Sequence, residues 1–355
     1  MTDQAPINLI VLFGGQSAEH DVSRVTATHV LAAVDQTRYN VMPIAITREG
    51  QWLVADDAIA SLRSGRLPTA LDVVGTPTSM TPVLAQAAHA VTVVLPLLHG
   101  PCGEDGTVQG ALELAGVPYV GCGVLSSALA MDKAAAKEIL AHHGIPQARW
   151  RSFAEHQITE SLVSELVTEL GLPMFIKPAN MGSSVGVTKA HDPAEVHTAI
   201  EFALTYDEWI VAEEAIVGRE IEVAILGNLD PQASVPGEVR AGREFYDYED
   251  KYHSDAAQLL IPAPLSGAET IEVQALALRA FRALRCDGMA RADFFYEEGG
   301  RGFLCNELNT IPGFTPISMY PKMWQASGLA YSDLIDRLVS LALERHQRRR
   351  RNTAH

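Results

Sequence analysis

Short apolar runs alternate with helix-period segments through the first third of the chain, the pattern of βα units around a mainly parallel sheet. Residues 8–13 read as a fully buried strand, Gly14-Gly15 as a turn, and 22–34 as a helix that Asp21 is placed to cap. Residues 41–46 and 91–97 read as further strands, 107–115 as a helix and 117–120 as the strand after it. The stretch 52–88, rich in Pro, Thr and Ser, reads as a peripheral excursion.

Beyond Cys122 the pattern changes: 126–141 has one long helical period, and the strands that follow come as neighbouring pairs with no crossover helix between them. Strands at 175–178 and 185–189 flank a Gly/Ser turn, and a helix at 193–203 leads to a strand at 209–213. From Gly218 the alternation Glu220-Ile221-Glu222-Val223 predicts a half-exposed antiparallel strand. A helix over 270–284, a hairpin over 290–309 and a closing helix over 331–346 complete the chain.

With 355 residues and 47% hydrophobic positions, the chain supports two or three cored domains and is not disordered. Its 27 Lys and Arg against 43 Asp and Glu leave a net charge of -16, so a nucleic acid would bind against the field; small-molecule partners are expected and a nucleic-acid partner is not. The one basic block, Arg345 with the arginines at 348–351, reads as a short solvated terminus, with weak binding to an anionic surface as the alternative. Four cysteines without paired spacing (Cys102, Cys122, Cys286, Cys305) suit reduced thiols in a cytoplasm. The first residues lack the basic start and apolar run of a signal peptide, and the run 91–98 is too short for a bilayer, so cytoplasmic residence without membrane attachment is expected.

The predicted 290–309 hairpin carries the densest chemistry. With a side-chain period of two, Arg291 and Asp293 share a face, as do Glu307 and Asn309, and antiparallel pairing brings the two faces together. Two carboxylates and an amide are hard oxygen ligands suited to Mg²⁺; a solvated sheet face is the other reading of the same pattern. A second signal is Lys177 at a strand end before Met181-Gly182-Ser183-Ser184-Val185-Gly186, where small residues let backbone N–H groups approach phosphate and the lysine adds charge, or where the chain simply turns. Gly14-Gly15-Gln16-Ser17-Ala18-Glu19 places a carboxylate past a strand end, and Leu98-His99-Gly100, followed by Gly103-Glu104-Asp105-Gly106, places a histidine past another. The polar, aromatic segment 245–252 reads as a surface loop or as a lid.

Taken in order with Met131-Asp132-Lys133 and Asn306 to Thr310 before Pro312-Gly313, these segments resemble the ATP-grasp superfamily and, within it, the D-alanine–D-alanine ligase family. The resemblance runs from about residue 9 to about 339. It implies an α/β chain, α+β in its ATP-binding part, of three domains: a Rossmann-like parallel unit (1–121), a central unit (122–213) and a C-terminal unit (214–355), the last two sandwiching ATP. The implied reaction joins two D-alanine molecules through a D-alanyl phosphate, for peptidoglycan precursor synthesis.

The resemblance also implies roles. ATP would be held by Lys133, Lys177, Ser183, Ser184, Glu213 near the adenine, Glu220 on the ribose, and Lys251 on the lid. Asp293, Glu307 and Asn309 would hold two Mg²⁺ ions, for which Mn²⁺ can substitute; a monovalent cation such as K⁺ is a further expectation. Glu19 would bind the first ammonium, with His99 beside the substrates. Arg291 and the Gly313 backbone N–H would stabilise the oxyanion, and Ser318 with the Met319 backbone would receive the second carboxylate. Glu19, Ser183 and Tyr252 would hold the lid closed. Relatives of this kind are commonly homodimers. The chain departs from the pattern at Glu214, where many relatives carry lysine. Three rival readings are a depsipeptide ligase that accepts D-lactate, another ATP-grasp carboxylate–amine ligase, and a nucleotide sensor without catalysis. Tyr252 in an intact lid disfavours the first, Glu19 and His99 the second, and the full set of Asp293, Glu307, Asn309 and Arg291 the third.

Overall fold

The computed structural model describes residues 6–87, 91–240 and 258–349. Strand β1 (Ile7–Gly14) lies buried between β2 (Tyr39–Ile46) and β5 (Thr92–Pro96), parallel to both, and α1 (His20–Ala33) packs against it. Ser23 on α1 ties two strand ends together: its hydroxyl accepts from the Gly14 N–H at 2.8 Å and donates to the Leu97 carbonyl at 2.5 Å. Asp21 does not cap this helix. Glu19 holds the N-cap position, and Asp21 instead pairs with Arg24 at 2.9 Å and Arg48 at 2.8 Å.

Two elements of the 52–88 stretch join the sheet rather than skirting it. Strands β3 (Trp52–Val54) and β4 (Thr76–Thr78) extend its edge in antiparallel fashion, giving the order β4-β3-β2-β1-β5; helices α2 (Asp56–Ser64) and α3 (Met80–Ala87) belong to the same stretch, and Leu53, Leu71 and the α2 residues Ala58 and Leu62 enter the core. Three-residue strands are too short for a period-two signal, which is why the pattern hides them. Residues 117–120 form only a single bridge, Val94 to Tyr119, instead of a strand.

The long helical pattern after Cys122 is broken in two: α4 (Thr107–Leu114) is followed by α5 (Val124–Met131) and α6 (Lys133–His142). At the break Asp132 is extended, and its carboxylate accepts from the Ala135 N–H at 2.9 Å. A capping aspartate satisfies a helix start better than it continues a helix, and the periodicity runs on regardless. The second sheet has the order β6-β9-β7-β8 and comprises β6 (Trp150–Ala154), β7 (Met174–Pro178), β8 (Thr188–Ala190) and β9 (Trp209–Glu214), with α7 (Leu162–Leu170) and α8 (Pro193–Leu204) packed on it.

The third sheet runs β13-β12-β10-β14-β15, with β11 (Gln232–Ala233) paired to β10 (Arg219–Gly227). Its other strands are β12 (Gly237–Arg240), β13 (Gln258–Leu260), β14 (Gly288–Glu297) and β15 (Gly302–Asn309). Ile221, Val223 and Ile225 of β10 pack on Val273, Ala277 and Phe281 of α9 (Gly267–Ala283). The opposite face of β10 is not solvated as its alternation predicts: Ala224 and Leu226 meet Tyr320 and Met323 of α10 (Met319–Ala326), and Glu222 is itself buried.

The basic tail also differs from expectation. Helix α11 (Tyr331–Arg349) buries Arg345, whose guanidinium donates to the Gly121 and Tyr119 carbonyls at 2.6 and 3.0 Å and lies 4.0 Å over the Tyr119 ring. Arg348 pairs with Asp287 at 2.5 Å, and Arg349 with Glu113 at 3.3 Å. Arg345 thus joins this helix to the segment that leaves the first sheet, Arg349 to the helix over Thr107–Leu114, and Arg348 to the turn before β14. The arginines at 350 and 351 lie outside the described residues. Of the four cysteines, Cys122, Cys286 and Cys305 are buried and Cys102 is exposed, all as free thiols. Among the described residues no helix is long and apolar enough to cross a membrane.

Candidate active site

The hairpin pairs as its alternation predicts: in the β14–β15 register Arg291 faces Asn309 and Asp293 faces Glu307, with an irregularity after Asp293. Arg291 Nε and Nη2 donate to the two Asp293 oxygens, each at 2.7 Å, and Nε lies 3.1 Å from Glu222 Oε2. Asn309 Nδ2 donates to Asp293 at 2.9 Å and to Glu307 at 3.5 Å. Burial works against the Arg291 charge, and the carboxylates of Asp293 and Glu222 overcome it, holding the guanidinium well above its usual pKa. Arg291 thus lies against Asp293 and Glu222, with Glu307 facing Asp293, and such hard-oxygen donors fit a divalent cation of the Mg²⁺ kind. Among the described residues no three His, Cys, Asp or Glu side chains gather as a metal site. The donors present are two facing carboxylates and the Asn309 amide.

Across from the hairpin, Glu19 is buried and accepts a hydrogen bond from the Ser183 hydroxyl, so the end of β1 meets the loop after β7. Two glycines make room for it. A Cβ on Gly182 would stand 2.9 Å from Glu19 Oε2, and one on Gly100, which has φ +70°, would stand 3.1 Å away. The Ser17 hydroxyl donates to the His99 carbonyl at 2.6 Å, fixing the two loops together. His99 Nδ1 donates to the Ile311 carbonyl at 3.1 Å, which leaves the Nε2 lone pair; that atom is buried and has no hydrogen-bond partner among the described residues. Burial pushes the imidazole pKa down despite the nearby Glu19 charge.

Glu104 escaped the sequence reading, although it lies in the quoted Gly103-Glu104-Asp105-Gly106 motif. Its carboxyl accepts from the Gly100 N–H at 2.7 Å and the Ile311 N–H at 3.3 Å, bridging the His99 loop and the segment that leaves β15. Enclosure there, and next the Glu19 charge, raise its pKa to about 8, although the two N–H groups pull the other way.

A third cluster lies between β7, α6 and β9. Lys177 Nζ is 2.7 Å from Glu213 Oε2, and Lys137, one helical turn past Lys133, is 2.8 Å from Oε1. Burial would raise the Glu213 pKa, but Lys137 and Lys177 outweigh it and hold it at about 2. Lys137 is the second residue the sequence reading missed; the spacing of four from Lys133 was its only signal. The Lys133 ammonium donates to the Met181 carbonyl at 2.5 Å, and burial lowers its pKa. The departure at Glu214 is structural: strand alternation sends it to the opposite face from Glu213, where Arg149 Nε and Arg301 Nη1 donate to it at 2.8 and 2.6 Å. In the loop after β7, Ser183 and Ser184 both take left-handed backbone conformations, φ +48° and +60°. Glu220 lies on β10 two residues before Glu222 and so shares its face.

Gly313 lies next to Ser318: a Cβ there would be 3.0 Å from the Ser318 hydroxyl. That hydroxyl accepts from the Thr315 N–H at 3.1 Å, and Ser318 holds the N-cap position of α10, so Met319 opens the helix with an N–H free of intrahelical bonding. Lys251 and Tyr252, with the rest of the 245–252 segment, lie outside the described residues. The hydrogen bonds above join the Glu19 and His99 loops to Ser183 and Ile311. Glu220 and Ser184 are placed by strand face and loop position.

The chain matches two family models, "D-ala D-ala ligase N-terminus" over residues 8–122 and "D-ala D-ala ligase C-terminus" over residues 139–340. It is similar to the D-alanine–D-alanine ligase of Heliobacterium modesticaldum, 44% identical with 97% of this chain and 96% of that protein covered. Among solved structures it resembles the VanG D-Ala:D-Ser ligase of Enterococcus faecalis (TM-score 0.82, 34% identity, 95% of this chain and 100% of that chain). It also resembles the D-alanine–D-alanine ligase of Bacillus anthracis complexed with ATP (TM-score 0.76, 27% identity, 97% and 99%).

Proposed function

We infer the working of this site from one premise: the chain belongs to the D-alanine–D-alanine ligase family and has the ATP-grasp fold. It is an ATP-dependent ligase that makes D-alanyl-D-alanine for peptidoglycan precursors. The observation that carries the chemistry is the β14–β15 register, which sets Asp293 against Glu307 beside Arg291 and Asn309. In this reading the units 1–121, 122–213 and 214–355 divide the work, the first supplying Glu19 and His99 and the other two enclosing ATP.

A carboxylate resists attack by an amine because it is a poor electrophile with a poor leaving group. One carboxylate oxygen of the first D-alanine therefore attacks the γ-phosphorus of ATP, the bond to ADP breaks, and an acyl phosphate forms. The amine of the second D-alanine then attacks the acyl carbon, inorganic phosphate leaves with the C–O electron pair, and the nitrogen gives up a proton. Both steps depend on positioning and charge. Glu19 receives the first ammonium, and its bond to Ser183 draws the 183–186 loop over the phosphates. Lys133 and Lys177 meet phosphate oxygens, Ser184 lines the same loop, Glu213 faces the adenine and Glu220 the ribose. Asp293, Glu307 and Asn309 would hold Mg²⁺, which when bound neutralises phosphate charge. Arg291 and the Gly313 N–H face the oxyanion of the tetrahedral adduct. The second carboxylate is received by Ser318 and the Met319 N–H, where a helix start favours an anion. Lys251 and Tyr252 complete the lid. His99 lies beside the substrates and orients them through its Nε2 atom. The enzyme works in the cytoplasm as a homodimer.

The test is phosphate release from MgATP with D-alanine, with products identified by mass spectrometry and D-lactate and D-serine offered as second substrates in parallel. Dipeptide from D-alanine as the main product is the expected result. ATP binding without phosphate release for any D-amino acid would leave a sensor of the same fold.

A further inference from the structure

Helix α6 carries a buried lysine to which the reading above gives no task. Lys137 is 2% exposed, and its ammonium has Glu213 as its ion-pair partner at 2.8 Å. Glu213 is equally buried, and its other oxygen is taken by Lys177 at 2.7 Å. One lysine suffices to neutralise one buried carboxylate, so this arrangement holds an ammonium in excess. The two lysines differ in setting. Lys137 sits inside, pinned by a helix whose residue 137 carbonyl also accepts from Gln147 at 3.0 Å. Lys177 sits at the exit of β7, a few residues before the Ser183-Ser184 loop, and is the more exposed of the two at 9%.

We propose that Lys137 is a positioning residue for the nucleotide: it keeps Glu213 paired and in place, so that Lys177 can leave that carboxylate for a phosphate oxygen when ATP binds. The proposal rests on the reading that puts Lys177 at the phosphates. Without Lys137, every Lys177 ammonium that turns to a phosphate strands a buried carboxylate with no cation. ATP affinity then falls by the cost of that stranding, while the reacting groups stay untouched. Removing the Glu213 charge as well removes the cost. A structural role for Lys137 predicts no such recovery.

The experiment compares Lys137→Met, Lys177→Met, Glu213→Gln and the double variant Lys137→Met/Glu213→Gln with the wild-type enzyme in steady-state dipeptide synthesis. Lys137→Met is expected to raise KM for ATP at least about tenfold, with kcat and KM for D-alanine changed less than about threefold. Because Glu213 itself faces the adenine, the double variant is read against Glu213→Gln, and its KM for ATP should lie within about threefold of that single variant. An unchanged KM for ATP in Lys137→Met, or a loss of Lys137 that costs as much in the Glu213→Gln background as in wild type, overturns the proposal. If Lys137→Met does not fold, the double variant, which buries no unpaired charge, decides alone: KM for ATP within about threefold of Glu213→Gln supports the proposal and a larger rise overturns it. Lys177→Met separates the two levels of inference. If it leaves KM for ATP unchanged, the placement of Lys177 on phosphate fails. If it raises KM and Lys137→Met does not, only the role of Lys137 fails.

Discussion

Replacing Arg345 with methionine tests whether α11 clasps the segment that leaves the first sheet. The guanidinium is 3% exposed, gives two hydrogen bonds to the Tyr119 and Gly121 carbonyls at 3.0 and 2.6 Å, and stacks 4.0 Å over the Tyr119 ring. Each hydrogen bond from a charged donor contributes about 1.5–3 kcal/mol, and a desolvated cation–π contact about 2 kcal/mol. Methionine recovers part of the packing and ends the desolvation cost of the buried charge, so the net loss should be about 3–5 kcal/mol. Global unfolding of a chain with three sheets is not a safe two-state measurement, whereas local exchange reads the clasp directly. The Val120 N–H, bonded to the Val94 carbonyl at 2.9 Å, is the reporter. Its hydrogen-exchange protection should fall by roughly 10²–10⁴ in Arg345→Met, since about 1.4 kcal/mol is a factor of ten. Arg337→Met, on the exposed side of the same helix, should change it by less than about threefold. Equal protection in the two variants would refute the clasp and return Arg345 to the solvated tail that the sequence suggests.

Asp293→Ala and Glu307→Ala should each lower kcat by about 10²–10³ at saturating Mg²⁺ with little change in the urea midpoint; full activity in either would sink the hairpin assignment. Glu213 is held at about 2 when folded against an ordinary 4.5, so its pairing stabilises the protein above pH 4.5 and is lost as pH falls towards 2, a contribution of about 3 kcal/mol. Acid titration of stability should therefore be flatter in Glu213→Gln, and parallel curves would contradict the pairing. Glu104 shifts the other way, to about 8, so the folded state binds its proton more tightly and this contribution is lost as pH rises from 4.5 through 8. Urea midpoints measured between pH 5 and 9 should decline less in Glu104→Gln than in wild type, and an equal decline would rule out a protonated Glu104.

Local rules explain which parts of this protein can be read from its residues. The hairpin register follows from period-two alternation and a short Gly-Gly connection, so Arg291, Asp293, Glu307 and Asn309 meet as their spacing dictates. The β1 strand and its βα turn are equally legible, because a buried apolar run ending in Gly14-Gly15 admits few alternatives. The break at Asp132 is visible only as a capping residue inside an unbroken helical period, and the edge strands β3 and β4 are too short to show a period at all.

By itself, then, the sequence determined the types of most of the longer elements, the family, and which carboxylates and lysines are available for chemistry, since each of these depends on neighbours along the chain. Tertiary structure alone decided which charges share a partner. Glu213 lies 76 positions after Lys137 and 36 after Lys177, yet it takes both, because β9 and β7 pair while α6 packs beside them. Glu104 and Ile311 meet across 207 residues, and Arg345 reaches Gly121 across 224. No periodicity encodes such distances. They follow from how three sheets close on one another, and burial there turns a lysine, a glutamate and an arginine that resemble surface residues in the sequence into the groups that fix the site.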